Sequence, residues 1–158
     1  LDGLPKSERG TYVYHLRRGW LLYLSGEHAS AISSYDKAVS AESGAVEPLL
    51  GLMLPQIALR RWTDAVESGE KALKIDPDNY LAKSRLAWSL YNLGRYEDAA
   101  KHYRRLVELY PSDVEMKAGL AWALVKQGQK KRARGLFEQV LDIAPGYSTA
   151  LEGLAATK

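Results

Sequence analysis

Side chains that perform catalysis are few in this sequence, and their spacing does not bring them together. The histidines His15, His28 and His102 lie too far apart for any two to share a helix face at the i, i+4 spacing of a metal site. The chain has no cysteine, which excludes thiol nucleophiles, thiolate ligands and disulfides. Neighbouring carboxylates such as Glu97 and Asp98 are more typical of exposed charges than of an acid/base couple. We therefore expect no enzyme, no metal and no cofactor.

Apolar aromatic contact is the chemistry that the sequence does favour. Three of the four tryptophans are Trp20, Trp88 and Trp122, and their separations are 68 and 34 residues. These separations are two periods and one period of a 34-residue spacing. The tryptophans are therefore expected at one equivalent position of a repeated structural unit.

Residues 12–147 follow the same period. Blocks of 34 residues begin at Tyr12, Val46, Tyr80 and Val114, and residue positions are counted below from the start of each block. Position 20 is invariant and holds Ala31, Ala65, Ala99 and Ala133. Position 15 is glycine in three blocks, and position 32 is proline in three. This pattern predicts two short amphipathic helices per block, each of which must pack against its neighbours.

The third block shows the predicted boundaries most clearly. Its first helix is expected from Tyr80 to Leu93, after a capping Asn79, and its second from Tyr96 to Leu109. Gly94 ends the first helix, and Pro111 prevents the second from continuing.

With these residues, the chain resembles the tetratricopeptide repeat family over residues 12–147, with a fifth unit begun at Ser148. The resemblance implies an all-α fold, a right-handed superhelical solenoid of antiparallel helix pairs. We expect a single domain made of a lead-in over 1–11, repeats over 12–45, 46–79, 80–113 and 114–147, and a truncated capping or fifth-repeat helix over 148–158.

The second repeat departs from the pattern. Arg60 replaces the turn glycine, and Gly69 replaces the ring found at position 24 of the other repeats. We expect Met53 and Trp62 to fill the space left by that ring. Pro55 lies in the middle of a predicted helix, where it removes a backbone hydrogen bond, so a kink is expected there.

The resemblance also implies a concave groove lined by the first helix of each repeat. The family's groove positions are mostly apolar here, with a few polar groups. The predicted peptide-binding residues are Leu16, Arg17, Trp20, Tyr23, Leu50, Leu54, Ile57, Arg85, Trp88, Tyr91, Asn92, Trp122, Val125 and Lys126. Some family members grip a terminal carboxylate with lysines and asparagines at set positions, and only Arg85 matches that set.

Two functions stay open at this point. The groove predicts a scaffold that binds a peptide or amphipathic helix of another protein. The alternative is a structural module that self-associates into a homo-oligomer within a larger bacterial or eukaryotic complex. The tryptophans could also fill space between adjacent helices instead of facing a ligand.

Charge and hydropathy exclude further classes. The net charge is only +3, and the basic run at Lys130, Lys131, Arg132 and Arg134 has no interleaved aromatic residues, so we expect no nucleic-acid partner. The longest apolar stretch, 49–59, is too short to span a membrane. Both ends look cut, so a longer parent protein is expected, and the compartment is left open between cytoplasmic, periplasmic and membrane-tethered.

Overall fold

The computed structural model describes residues 11–158, and these residues form nine α-helices. The helices are α1 (Tyr12–Leu24), α2 (His28–Ala41), α3 (Glu47–Ala58), α4 (Trp62–Ile75), α5 (Tyr80–Asn92), α6 (Tyr96–Leu109), α7 (Val114–Lys126), α8 (Lys130–Ile143) and α9 (Ser148–Ala156). The predicted all-α fold class is confirmed. The predicted lead-in lies outside the described residues except for Thr11.

The chain divides into two compact units, one ending at Arg85 and the other formed by Leu86–Lys158. In the first unit α1 packs on α2, α2 on α3 and α3 on α4. In the second unit α6 packs on α7, α7 on α8 and α8 on α9. Each helix in these series therefore buries its apolar stripe against its neighbours in sequence.

Turns within repeats use a left-handed residue at position 15. Gly26, Gly94 and Gly128 have φ of 81°, 77° and 76°, and Arg60 has a φ of 55° at the same position. A residue that carries a Cβ is strained in the left-handed region, because its Cβ lies too close to the following carbonyl oxygen. The second repeat therefore makes the same turn as the others with a less suitable residue.

Side-chain caps begin three of the first helices. Thr11 Oγ1 accepts from the amide of Tyr14, Asn79 Oδ1 from the amide of Ala82, and Asp113 Oδ1 from the amide of Met116. The predicted cap at Asn79 is confirmed. These caps pair backbone donors that the first helical turn leaves unsatisfied.

Contact between successive repeats depends on a ring packed against a glycine. The ring at position 24 of one repeat lies over the glycine at position 6 of the next: Tyr35 over Gly51, Tyr103 over Gly119 and Phe137 over Gly153. A side chain on any of these glycines would collide with the ring. The glycines therefore allow the first helix of each following repeat to approach closely.

The second repeat has neither half of this pair, since Gly69 stands at position 24 and Arg85 at position 6 of the next repeat. Met53 is fully buried, whereas Trp62 is only half-buried. Pro55 is buried inside α3, which continues past it to Ala58. The kink at Pro55 stays a prediction.

Candidate functional site

The first unit presents an aromatic pair on α1. Trp20 is 46% exposed, and its ring centroid lies 5.8 Å from that of Tyr23 at an interplanar angle of 33°. Residues three apart lie on the same face of a helix, which brings the two rings together. Tyr23 also contacts His28 at the start of α2, with 5.5 Å between centroids. The result is a continuous row of three rings.

The second unit has the same arrangement on α5. Trp88 is also 46% exposed, and its ring stacks on Tyr91 at 5.8 Å with an angle of only 6°. The Tyr91 ring then meets Tyr96 edge to face at 5.3 Å. Burial, and then the neighbouring Tyr96, raise the pKa of Tyr91. Two repeats therefore present the same row of rings from positions 9, 12 and 17.

Trp122 differs from the other two predicted tryptophans. It is half-buried, its indole Nε1 donates to the carbonyl of Thr149 at 3.3 Å, and its ring packs edge to face against Phe137 at 5.6 Å. Its ring is thus held between α8 and α9. This side chain fits the space-filling alternative better than an open groove.

The candidate residues from the second repeat are aliphatic rather than aromatic. Leu50, Leu54 and Ile57 are all half-buried on α3. Arg85 Nη1 donates to the carbonyl of Leu50 at 2.7 Å. Burial lowers the pKa of Arg85, while the nearby Tyr23 and Tyr35 raise it. The Arg85 guanidinium thus forms a hydrogen bond with the backbone of α3 and also carries a positive charge at this surface.

Pro55 affects a different carbonyl of α3. A proline cannot donate to the carbonyl four residues earlier, so the carbonyl of Gly51 has no amide donor from Pro55. Leu50 is the next residue toward the N-terminus, where Arg85 supplies a charge-assisted hydrogen bond.

The remaining candidates differ in exposure. Leu16 and Val125 are half-buried, whereas Arg17 and Lys126 are exposed. Asn92 is exposed, and its Nδ2 donates to the carbonyl of Trp88 at 2.8 Å. This hydrogen bond ties the end of α5 to the helical turn that carries the exposed indole.

His28 and Tyr96 extend the candidate site beyond the groove residues predicted from the sequence. Both begin the second helix of a repeat, and both extend the row of rings on the first helix. The sequence does indicate these residues, because position 17 holds an aromatic ring in three of the four repeats: His28, Trp62 and Tyr96. The family's groove positions cover only first helices, so they do not include position 17.

The described residues contain no group of three metal-ligating side chains, and none of their helices is long and apolar enough to cross a membrane. The features that stand out are exposed indoles backed by tyrosines. Such flat, rigid and amphipathic rings are common at protein interfaces.

Comparison with known proteins supports the fold. Residues 84–148 match the tetratricopeptide repeat family model. No curated protein matches the sequence.

Solved structures share the fold at low sequence identity. The crystal structure of YrrB, a TPR protein with an unusual peptide-binding site, superposes with a TM-score of 0.85 at 24% identity over 96% of this chain and 78% of YrrB. A MamA crystal structure gives a TM-score of 0.87 at 21% identity over 92% and 80%. MamA from Desulfovibrio magneticus RS-1, from residue 41 to the end, gives 0.89 at 18% identity over 92% and 82%.

These findings define the class of protein: the described chain has the all-α tetratricopeptide repeat fold. The resemblance to the tetratricopeptide repeat family is confirmed, with the family match covering residues 84–148.

Proposed function

We propose that this protein is a protein-interaction scaffold that binds a peptide or an amphipathic helix of another protein through the aromatic rows of its first helices. The observation that carries this proposal is the stacked pair of Trp88 and Tyr91. A tyrosine packed behind an indole limits its motion, so a ligand loses less entropy when it binds to that indole.

Repetition of the row supports the same function. Trp20 and Tyr23 form a pair at the same positions of a different repeat, with the same distance between rings but tilted rather than stacked. Their indoles are equally exposed at 46%. Burial of one large apolar side chain is worth about 1.5–3 kcal/mol, so two or three ligand anchors give roughly micromolar affinity after ordering costs.

The structural neighbour YrrB is consistent with this proposal. YrrB is described as having an unusual peptide-binding site, and its fold covers 96% of this chain. At 24% identity this likeness supports the fold that such a scaffold needs.

Indole fluorescence tests the proposal. Peptides selected from a displayed random library serve as defined ligands, and variants that keep only Trp20 or only Trp88, with phenylalanine at the other three positions, report each row. Binding should shift the indole emission to shorter wavelength and protect it from acrylamide. Selected peptides that bind yet leave both indoles as quenchable as before would overturn the proposed site.

Self-association is a second candidate, favoured by one observation. Leu151 on α9 and Ile143 on α8 are each 50% exposed. Light scattering across a range of concentrations tests it. A mass that rises with concentration, and is restored to the monomer value by Leu151→Gln, supports assembly; a constant monomer mass rules it out.

A further inference from the structure

The first helices of the repeats alternate between two kinds, so a longer period of two repeats lies within the 34-residue spacing. Position 1 alternates between tyrosine and valine, position 6 between arginine and glycine, and position 12 between tyrosine and an aliphatic residue. In repeat order these residues are Tyr12, Val46, Tyr80 and Val114; Arg17, Gly51, Arg85 and Gly119; and Tyr23, Ile57, Tyr91 and Val125. The helices α1 and α5 therefore share the spacing Arg-x-x-Trp-x-x-Tyr, which α3 and α7 lack.

The helices α3 and α7 are fitted for packing. Each has at position 6 a glycine that lies beneath a ring of the preceding repeat, Gly51 beneath Tyr35 and Gly119 beneath Tyr103. At position 9, Leu54 and Trp122 are only half-buried, and neither belongs to the exposed class. The surface of these two helices is thus partly used by the contact with neighbouring repeats.

The helices α1 and α5 instead expose apolar side chains at two matching positions. At position 9 Trp20 and Trp88 are both 46% exposed, and at position 2 Val13 and Leu81 are 49% and 44% exposed. The second and fourth repeats have an exposed glutamate at position 2. Because the fold accommodates a glutamate there, packing does not require the valine or the leucine. The pair of exposed apolar side chains is therefore better explained by a contact outside the chain.

The spacing of the two exposed side chains indicates the shape of the ligand. Positions 2 and 9 are seven residues apart, so they share a helix face and lie about 10 Å apart along the axis. An amphipathic helix that lies along α1 or α5 matches this spacing with apolar side chains at i and i+7. A β-strand does not, because two residues that span about 10 Å of a strand are three apart and point to opposite faces.

We propose that the protein is bivalent, an inference that rests on the peptide-binding function proposed above. The helices α1 and α5 each bind one copy of the same motif, an amphipathic helix of a partner protein with large apolar side chains at i and i+7. One of these side chains packs on the exposed indole, and the other packs on Val13 or Leu81. The two sites are thus separate in sequence and alike in specificity.

Selection on one site and measurement on the other test this proposal. Peptides are selected from a displayed random library on the Trp88→Ala variant, which keeps the α1 row, and are then measured on the Trp20→Ala variant, which keeps the α5 row. Titration calorimetry should give two peptides per wild-type chain and one per variant, with the affinities of the two variants within fivefold. Circular dichroism should show that the peptides gain helix on binding. One peptide per wild-type chain, peptides that do not bind the α5 row, or peptides that bind without gaining helix would overturn the proposal.

Matched variants test the second contact of each motif. In the single-row variants, Val13→Ser and Leu81→Ser should each weaken binding to their own helix at least fivefold. Leu21→Ser removes a side chain of α1 that is 52% exposed at position 10, outside the shared face, and should leave binding within twofold. Thermal melts confirm that each variant is folded. Losses from Leu21→Ser as large as those from Val13→Ser would contradict the two-contact motif.

Failure of bivalency is distinguishable from failure of peptide binding itself. Peptides that bind a variant with both Trp20→Ala and Trp88→Ala as tightly as wild type contradict binding by the aromatic rows, and bivalency fails with it. Peptides that require one of these tryptophans, yet bind wild type with a stoichiometry of one, contradict bivalency alone.

Discussion

The ring of Tyr103 lies against the backbone of Gly119, so closely that a Cβ at residue 119 would come within 2.6 Å of the ring's Cε1. The tyrosine belongs to the second helix of one repeat and the glycine to the first helix of the next. This contact, with its counterparts at Tyr35 and Phe137, positions each following helix against the helix before it. The pair therefore links the repeat pattern in the sequence to the packing of one repeat on the next.

Gly119→Ala should destabilise the protein by about 1–3 kcal/mol, because the added methyl group forces the Tyr103 ring or α7 to move. Gly135→Ala is the matched control, since a Cβ there meets nothing within 4 Å. Gly135 lies inside α8, where alanine is favoured by about 0.5–1 kcal/mol, so this variant should gain stability. Urea unfolding measures both, and equal effects of the same sign would contradict the packing role.

Arg60→Gly should stabilise the protein by about 1 kcal/mol, because glycine adopts the left-handed turn conformation without strain. The φ of Arg60 is 55°, in the region where the other three repeats use glycine. The reciprocal change, Gly94→Ala, should cost a similar amount. An Arg60→Gly variant with an unchanged or lower free energy of unfolding would show that its side chain contributes more than the turn costs.

Gly69→Tyr should lower stability by about 1–3 kcal/mol, because Arg85 stands where a ring at position 24 would need glycine. Adding Arg85→Gly restores the ring-on-glycine pair of the other repeats at the cost of the bond to Leu50. A double-mutant cycle should therefore show a favourable coupling of more than about 1 kcal/mol. Additive effects, or a gain from Gly69→Tyr alone, would mean that the space beside Gly69 is empty.

Stability should depend on the protonation of His15. Its pKa in the folded protein is below the ordinary value of 6.5, so the unfolded chain binds the proton more readily. The contribution of His15 is thus fully present above about pH 7 and is lost as the pH falls through 6.5 toward the folded pKa. Urea unfolding between pH 7 and pH 5.5 should show a smaller decrease for His15→Gln than for wild type; parallel curves would contradict this.

Much of the fold was predictable from the sequence because the repeat marks its own boundaries. Position 15 predicts the turns, and Asn79 predicts a cap that the structure contains. The predicted second helix of the third repeat, Tyr96 to Leu109, agrees with the observed α6, and the first ends at Asn92, one residue earlier than expected. These features are local, so period and capping chemistry are enough to define them.

The site was harder to predict because exposure depends on contacts between distant residues. Trp20, Trp88 and Trp122 are equivalent in the repeat, yet Trp122 alone donates to a carbonyl 27 residues later. Arg85 likewise bonds to Leu50, 35 residues earlier. The pattern assigned both side chains to a groove, and it gave no sign that each also holds backbone in place.

Titration calorimetry with a selected peptide tests the proposed function most directly. Trp88→Ala or Trp20→Ala, according to which indole the peptide protects, should weaken binding to that indole's row at least tenfold, which corresponds to about 1.4 kcal/mol. Leu21→Ala and Ile143→Ala are matched controls that truncate exposed apolar side chains outside the rows, and they should leave affinity within twofold. Peptides whose affinity for a row is unchanged by its tryptophan variant, or reduced equally by the controls, would contradict a scaffold that binds through its aromatic rows.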